Sequence, residues 1–146
     1  MGNIVVRKLK SEDTLTIGHI YQSITQASDL IDFQQVVSEL ADRKTNACFV
    51  AEYQGQVVGY MVSYVLSTSF GINKSAWIPM LGVDPEFMGR GVGKKMAKAV
   101  LKFYRKQGIQ EIHTSVRWYD TDVLSFFRTL GFNRSEFINL QKRLDE

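Results

Sequence analysis

The chain has 146 residues, 45% of them hydrophobic and 23% charged, which is ordinary composition for one folded domain with a real core. No run approaches the ~20 apolar residues of a membrane span, and the basic-then-apolar pattern of a secretory leader is missing, so a soluble cytoplasmic protein is expected. One cysteine, Cys48, makes no internal disulfide, and two distant histidines, His19 and His113, offer no metal-ligand spacing, so no metal is expected.

In chain order, Ile4 to Leu9 reads as a strand, and Ser11-Glu12-Asp13 supplies an N-cap and first-turn acid for a helix to about Ile24. Asp32 caps a second helix in which Phe33, Val36, Val37 and Leu40 recur at spacings of three and four, up to Asp42-Arg43-Lys44. The period then changes. Cys48 to Tyr53 and Val57 to Val65 are β-branched and aromatic runs around Gln54-Gly55-Gln56, the pattern of a hairpin. Thr68 to Asn73 looks looser, and Ser75 to Val83 forms a further strand in which Pro79 implies a bulge.

A helix follows from about Gly91 to Gln107, with Val92, Met96, Ala99, Val100, Phe103 and Tyr104 on its buried face and lysines opposite; Gly108 stops it. Glu111 to Arg117 is expected as a strand, Thr121 to Leu130 as a helix ended by Gly131, and Asn133 to Leu144 as a closing strand. Nothing repeats.

The net charge is +3, and the basic residues concentrate between Arg90 and Lys106, which favours a local anion site over a diffuse basic surface. Within that stretch a strand ends at Val83, glycines stand at 89, 91 and 93, and a helix begins. The first N–H groups of a helix lack intrahelical partners, its dipole places positive charge there, and glycine lets a phosphate approach the backbone. Spacing narrows the ligand. A triphosphate P-loop needs glycine at the position of Met88 and serine or threonine at that of Lys95, and the dinucleotide fingerprint needs glycine where Lys94 or Met96 stands.

From Leu81-Gly82-Val83 through Lys94 the sequence resembles the coenzyme A loop of the GNAT superfamily of N-acetyltransferases, whose pattern is Gln or Arg, two residues, Gly, one residue, then Gly or Ala. Met88 stands at the first position, so backbone donors carry the contact there. The resemblance extends over most of the chain: Val6-Arg7 before Ser11-Glu12-Asp13, Phe49 to Glu52 with Gln56 to Tyr60, and Val116, Asp120, Val123, Phe126, Phe127, Leu130, Gly131 and Phe132 at the spacing of the C-terminal motif.

It implies an α/β (α+β) fold in a single domain over residues 1–146. About four helices would flank a mixed, mostly antiparallel sheet of six or seven strands, with a splay between those ending near Val83 and Val116. The implied reaction is direct attack of an amine on the thioester of acetyl-CoA. Leu81, Gly82, Val83, Met88, Gly89, Arg90, Gly91, Val92, Gly93, Lys94, Asp120 and Phe127 are the implied cofactor-binding set, and a backbone N–H of Leu81 or Val83 would polarise the carbonyl. An amine of pKa ~10.4 is neutral in under about one part in a thousand at pH 7, so a base is needed. Trp77 stands where some relatives carry a catalytic glutamate, leaving Glu52 and His113; Phe127 replaces the usual tyrosine acid, leaving water or Tyr119.

Tyr60, Tyr64, Phe70 and Trp77 are candidates to line an acceptor pocket, and the variable segments are Tyr21 to Arg43 and Ser67 to Ser75. A homodimer is compatible with this picture; membrane and nucleic-acid partners are not expected. The alternative is a non-catalytic acyl-CoA-binding sensor.

Overall fold

A computed structural model describes residues 3–25 and 31–145. One sheet of five strands runs β1 (Ile4–Lys8), β2 (Phe49–Tyr53), β3 (Gln56–Ser69), β4 (Ile72–Val83) and β5 (Ile112–Thr114), in that spatial order. Neighbours are antiparallel except β4 and β5, which are parallel. Helices α1 (Thr14–Thr25) and α2 (Phe33–Val36, continued by a π-helical turn Val37–Ala41) cover one face through Ile17, Ile20, Phe33 and Val37 on Val50, Tyr60 and Val62. Helices α3 (Val92–Lys106) and α4 (Thr121–Thr129) cover the other through Val92, Met96, Val100 and Phe127 on Ala51, Val58, Met61, Ala76 and Ile78. This mixed α/β architecture is the one expected.

Local chemistry explains the element ends. Gln54 and Gly55 both have positive φ, as a two-residue turn with Tyr53 opposite Gln56 demands. Asp32 caps α2 by accepting from the Gln34 and Gln35 N–H groups. At the end of α3, Gly108 at φ 77° lets its own N–H reach the Arg105 carbonyl and that of Ile109 reach Tyr104. Ala97 rather than Ala99 completes the buried face of α3.

Four expectations need correction. The Thr68 to Asn73 stretch is not loose: β3 and β4 continue into it and close a second tight hairpin at Phe70-Gly71, both at positive φ, with Ser69 opposite Ile72. Ser11–Asp13 is a 3-10 turn before α1 rather than the cap and first turn of α1 itself, and Asp13 is buried, bonded by Arg7. The strand expected from Glu111 to Arg117 keeps only Ile112–Thr114, because its pairing with β4 stops there. Finally, the sheet has five strands among the described residues. Asn133 to Leu144 lacks strand pairing and lies exposed: a strand exists only where a neighbour takes its backbone bonds.

Pro79 does mark a bulge. Val62 pairs with Met80 and Tyr64 with Trp77, so Ser63 alone faces Ile78 and Pro79. Ser63 is fully buried; its hydroxyl bonds the Ala47 carbonyl and lies 2.6 Å from the Tyr104 hydroxyl, which accepts the Ala47 N–H at 3.0 Å. The bulge is thereby stapled to Ala47, just before β2, and to α3.

Candidate functional site

The bulge changes which backbone groups of β4 face β5. Before it, the Ala76 N–H bonds the Glu111 carbonyl, and the Ile78 carbonyl takes the Thr114 hydroxyl at 2.8 Å. Beyond it, the Asp84 N–H turns back to Val58 on β3 at 2.8 Å, so by alternation Gly82 also faces β3 while Leu81 and Val83 face away. The parallel ladder ends at Ile78 opposite Thr114, which leaves the far end of β4 without a neighbour on that side. A gap therefore opens between β4 and the chain after Thr114, edged by unpaired backbone groups of Leu81 and Val83. Pro79, with no N–H to offer, sits where the ladder stops.

The loop after β4 first satisfies its own donors. Asp84 caps the 3-10 turn Pro85–Phe87 by accepting from the Glu86 N–H, and Phe87 and Met88 close it. Gly89 and Gly91 then take φ of 79° and 81°, and α3 begins at Val92. Among the described residues, no backbone N–H from Gly89 to Lys94 has a backbone acceptor; the first helical bond is from Lys95 to the Gly91 carbonyl. A Cβ on Gly89 or Gly91 would meet nothing within 4 Å, so no side chain or backbone crowds the loop at these two positions. Together with the positive end of α3, this is a cradle for an anionic group.

The other two glycines of the expected set have different work. A Cβ on Gly93 would stand 3.1 Å from the Phe126 ring of α4, so Gly93 lets the two helices close on each other. One on Gly82 would stand 2.6 Å from the Tyr60 ring, which lies across β4 there. Arg90 stacks over Phe87 at 5.1 Å, Lys94 is exposed, and Lys95 is spent elsewhere, its ammonium donating to the Ile4 carbonyl at 2.9 Å. Met88 is exposed and contributes no polar contact.

Of the candidate catalytic residues, His113 stands in the β4–β5 ladder, one position before the gap. It pairs with Trp77 in the last ladder positions, stacks on the indole at 4.6 Å and 18°, and its Nε2 lies 3.2 Å from a Glu111 carboxylate oxygen. Glu52 lies on β2, two strands from β4, and accepts the Arg7 guanidinium at 2.7 Å. The same guanidinium holds Asp13 with two bonds, and these bonds raise its pKa further above an already high value. Burial pushes the Asp13 carboxyl up, but its bonds from Arg7 and the Lys10 N–H outweigh this and hold it below the usual range. Tyr119 is exposed after β5, and Asp120 caps α4 by accepting the Val123 N–H at 3.2 Å. Phe127 is 3% exposed, wedged between Phe126 and Phe132.

The aromatic set divides. Tyr60 is buried against Phe33, with its hydroxyl pKa pushed up, first by burial and then by Tyr21. Trp77, Phe70 and His113 gather on the α1/α2 face of the β4–β5 end, joined by Phe137 from the C-terminal segment. Sequence reading missed Phe137, whose spacing alone could not place it there. Of the variable segments, residues 26–30 lie outside the described residues. A separate open cleft of about 420 Å³ between α1 and the turn after β4 is lined by His19, Asp84 and Glu86 among others, and its carboxylates set it apart from the anion cradle. Among the described residues no cluster of metal-ligating side chains occurs and no helix is long and apolar enough to cross a membrane.

The acetyltransferase (GNAT) family model matches residues 15–132. A mycothiol acetyltransferase from Amycolatopsis mediterranei is 30% identical over 91 residues, covering 60% of this chain and 30% of that protein, so the chain spans less than a third of this curated relative. An aminoglycoside acetyltransferase from an uncultured soil metagenomic sample superposes with a TM-score of 0.80 at 22% identity, covering 97% of each chain. Aminoglycoside N-acetyltransferase AAC(6')-Iy in complex with CoA superposes with a TM-score of 0.82 at 16% identity, covering 99% of this chain and 97% of that one.

Proposed function

The chain belongs to the acetyltransferase (GNAT) family, and from that premise we propose that it transfers an acetyl group from acetyl-CoA to an amine. One observation carries the proposal: two sets of backbone groups without backbone partners, Leu81 and Val83 at the gap and the N–H groups from Gly89 to Lys94, flank the turn that joins β4 to α3. The second set suits a pyrophosphate and the first suits the amides of an extended arm. The bound thioester supplies an activated acetyl carbon that an amine lone pair attacks, forming the C–N bond as the C–S bond breaks.

The chain's own residues orient and assist. A Leu81 or Val83 N–H directed at the carbonyl oxygen stabilises charge as it develops there. His113, steadied by Glu111 and beside the end of the ladder, is the side chain we assign to take the amine proton, directly or through water. The departing thiolate takes its proton from water, because Phe127 has none to give; with a thiol pKa near ~8.5 it is a tolerable leaving group. Trp77, Phe70 and Tyr64 form the acceptor side. The names of the relatives put amino sugars first among acceptors to try.

A thiol-release assay with acetyl-CoA and a broad amine panel, amino sugars included, tests the proposal. Thiol release dependent on one acceptor class is expected. Gly91→Asp tests the cradle: a Cβ there meets no neighbour, and although φ of 81° strains any side chain, aspartate is among the residues that visit this region, so an unchanged circular dichroism spectrum is expected while its charge opposes the pyrophosphate. Acetyl-CoA binding by calorimetry should be lost, and unchanged affinity would remove the cradle from the site. A second reading, a non-catalytic acyl-CoA sensor, is favoured by the buried Phe127 and by Trp77 in place of a carboxylate. Tight acetyl-CoA binding with no turnover on any amine would decide for it.

A further inference from the structure

Four rings close into a cycle at the end of the β4–β5 ladder. Trp77 stacks on His113 at 4.6 Å, Phe137 meets His113 at 6.0 Å, and Phe70 lies between Phe137 at 5.9 Å and Trp77 at 5.7 Å. Trp77, Phe70 and Phe137 lie outside both packed cores, and the outer two stay open: Phe70 is 64% and Phe137 41% exposed. The one polar atom of the Trp77 ring, its indole N–H, donates to the Ser75 hydroxyl at 2.8 Å. Trp77 therefore presents an apolar ring rather than a donor.

Phe70 is held in this cycle against local preference. It takes the first position of the two-residue turn at φ 55°, before Gly71 at 76°. That conformation suits asparagine before glycine and penalises a bulky side chain. Thr68, which is β-branched, is also at positive φ, 51°. With most of the Phe70 ring in solvent, burial does not offset the strain, and strain kept at an exposed turn points to a use for the ring beyond packing.

We propose that the acceptor is an arylalkylamine, an aromatic ring bearing a primary amine on a short alkyl arm, whose ring lies on Phe70, Trp77 and Phe137 while its amine reaches the gap beside His113. The inference rests on the acetyl-transfer reading above and narrows its acceptor. Position agrees: Trp77 and His113 stand one ladder position, ~3.3 Å, before the gap opens, so a ring on this wall keeps a short-armed amine at the gap. Charge agrees as well. The Glu111 carboxylate, 3.2 Å from His113 Nε2 and half exposed, offers one anion to one ammonium, which aromatic faces also attract. An amino sugar would instead lay hydroxyl groups on ring faces that cannot pair them.

The test measures thiol release from acetyl-CoA with 2-phenylethylamine, n-propylamine and glucosamine, and the binding of each amine to the CoA-loaded protein by calorimetry. The kcat/KM for 2-phenylethylamine should exceed each of the others at least about tenfold. In Phe70→Asn the urea midpoint should hold or rise, because asparagine suits the turn, while KM for 2-phenylethylamine rises about fivefold and its preference over n-propylamine shrinks. Phe137→Ser should shrink that preference too. A lowered midpoint with unchanged preference in both variants makes the rings structural only and overturns the proposal. So does a kcat/KM for glucosamine or n-propylamine equal to or above that for 2-phenylethylamine, an outcome that leaves acetyl transfer intact. Binding of 2-phenylethylamine with no turnover of any amine removes acetyl transfer and keeps the ligand class; neither binding nor turnover removes both.

Discussion

Gly82 and Tyr60 show how much of this protein is decided across strands. Gly82 sits in the stretch that faces the gap, yet what demands glycine there is the Tyr60 ring over its Cα, a close contact no local pattern reveals. Gly82→Ala should therefore cost about 1–3 kcal/mol in urea unfolding, the usual range for overpacking a fitted core. In a Tyr60→Ala background the same change should cost clearly less, since the ring that it strikes is gone. Equal costs in the two backgrounds would show that the contact is not what selects glycine. Arg7 was equally hidden in the sequence: its partners Asp13 and Glu52 are 6 and 45 residues away, and only the pairing of β1 with β2 brings Glu52 into reach.

Among the elements, the first turn of α3 carries two duties at once. Its free N–H groups are the ones we propose for the pyrophosphate, and Gly93 within it lets α4 approach closely through Phe126. A methyl at 93 pushes the helices apart, so Gly93→Ala should lower both stability, by about 1–2 kcal/mol, and acetyl-CoA affinity, read by urea melts and calorimetry. Lost stability with unchanged affinity would separate the two duties.

The elements themselves were largely legible, because β1, the first hairpin, α3 and α4 obey their periods and carry their stop signals at Gly55, Gly108 and Gly131. So was the bulge at Pro79. What was not legible depended on partners. Thr68, Ser69 and Gly71 read as loop residues but sit in a paired hairpin. Asn133 to Leu144 read as a strand but finds no neighbour among the described residues. In the site, the glycine spacing was legible and the division of labour among the glycines was not.

At the scale of the whole molecule, three buried acids set an alkaline limit. Burial pushes up Cys48, Tyr60 and Tyr104, more than their bonds to neighbours hold Cys48 and Tyr104 down. In the unfolded chain these groups release protons from about pH 9 to 10, while the native form keeps them, so the unfolded state then binds fewer protons and stability falls as pH rises. Chemical denaturation from pH 7 to 11 should show a flat region giving way to decline above about pH 9, in excess of that in Tyr60→Phe. A stability that rises with pH in that range would contradict the burial of these groups.

Cys48 has a practical consequence for measuring this protein's chemistry. The only sulfhydryl of the chain is 1% exposed and turned to the Ser63 carbonyl. A folded sample should therefore stay silent towards chromogenic disulfide reagents, because exposure and ionisation govern such reactivity. Colour developing during an assay then comes from liberated coenzyme alone, while colour appearing without acetyl-CoA gives an internal alarm that the preparation has begun to melt.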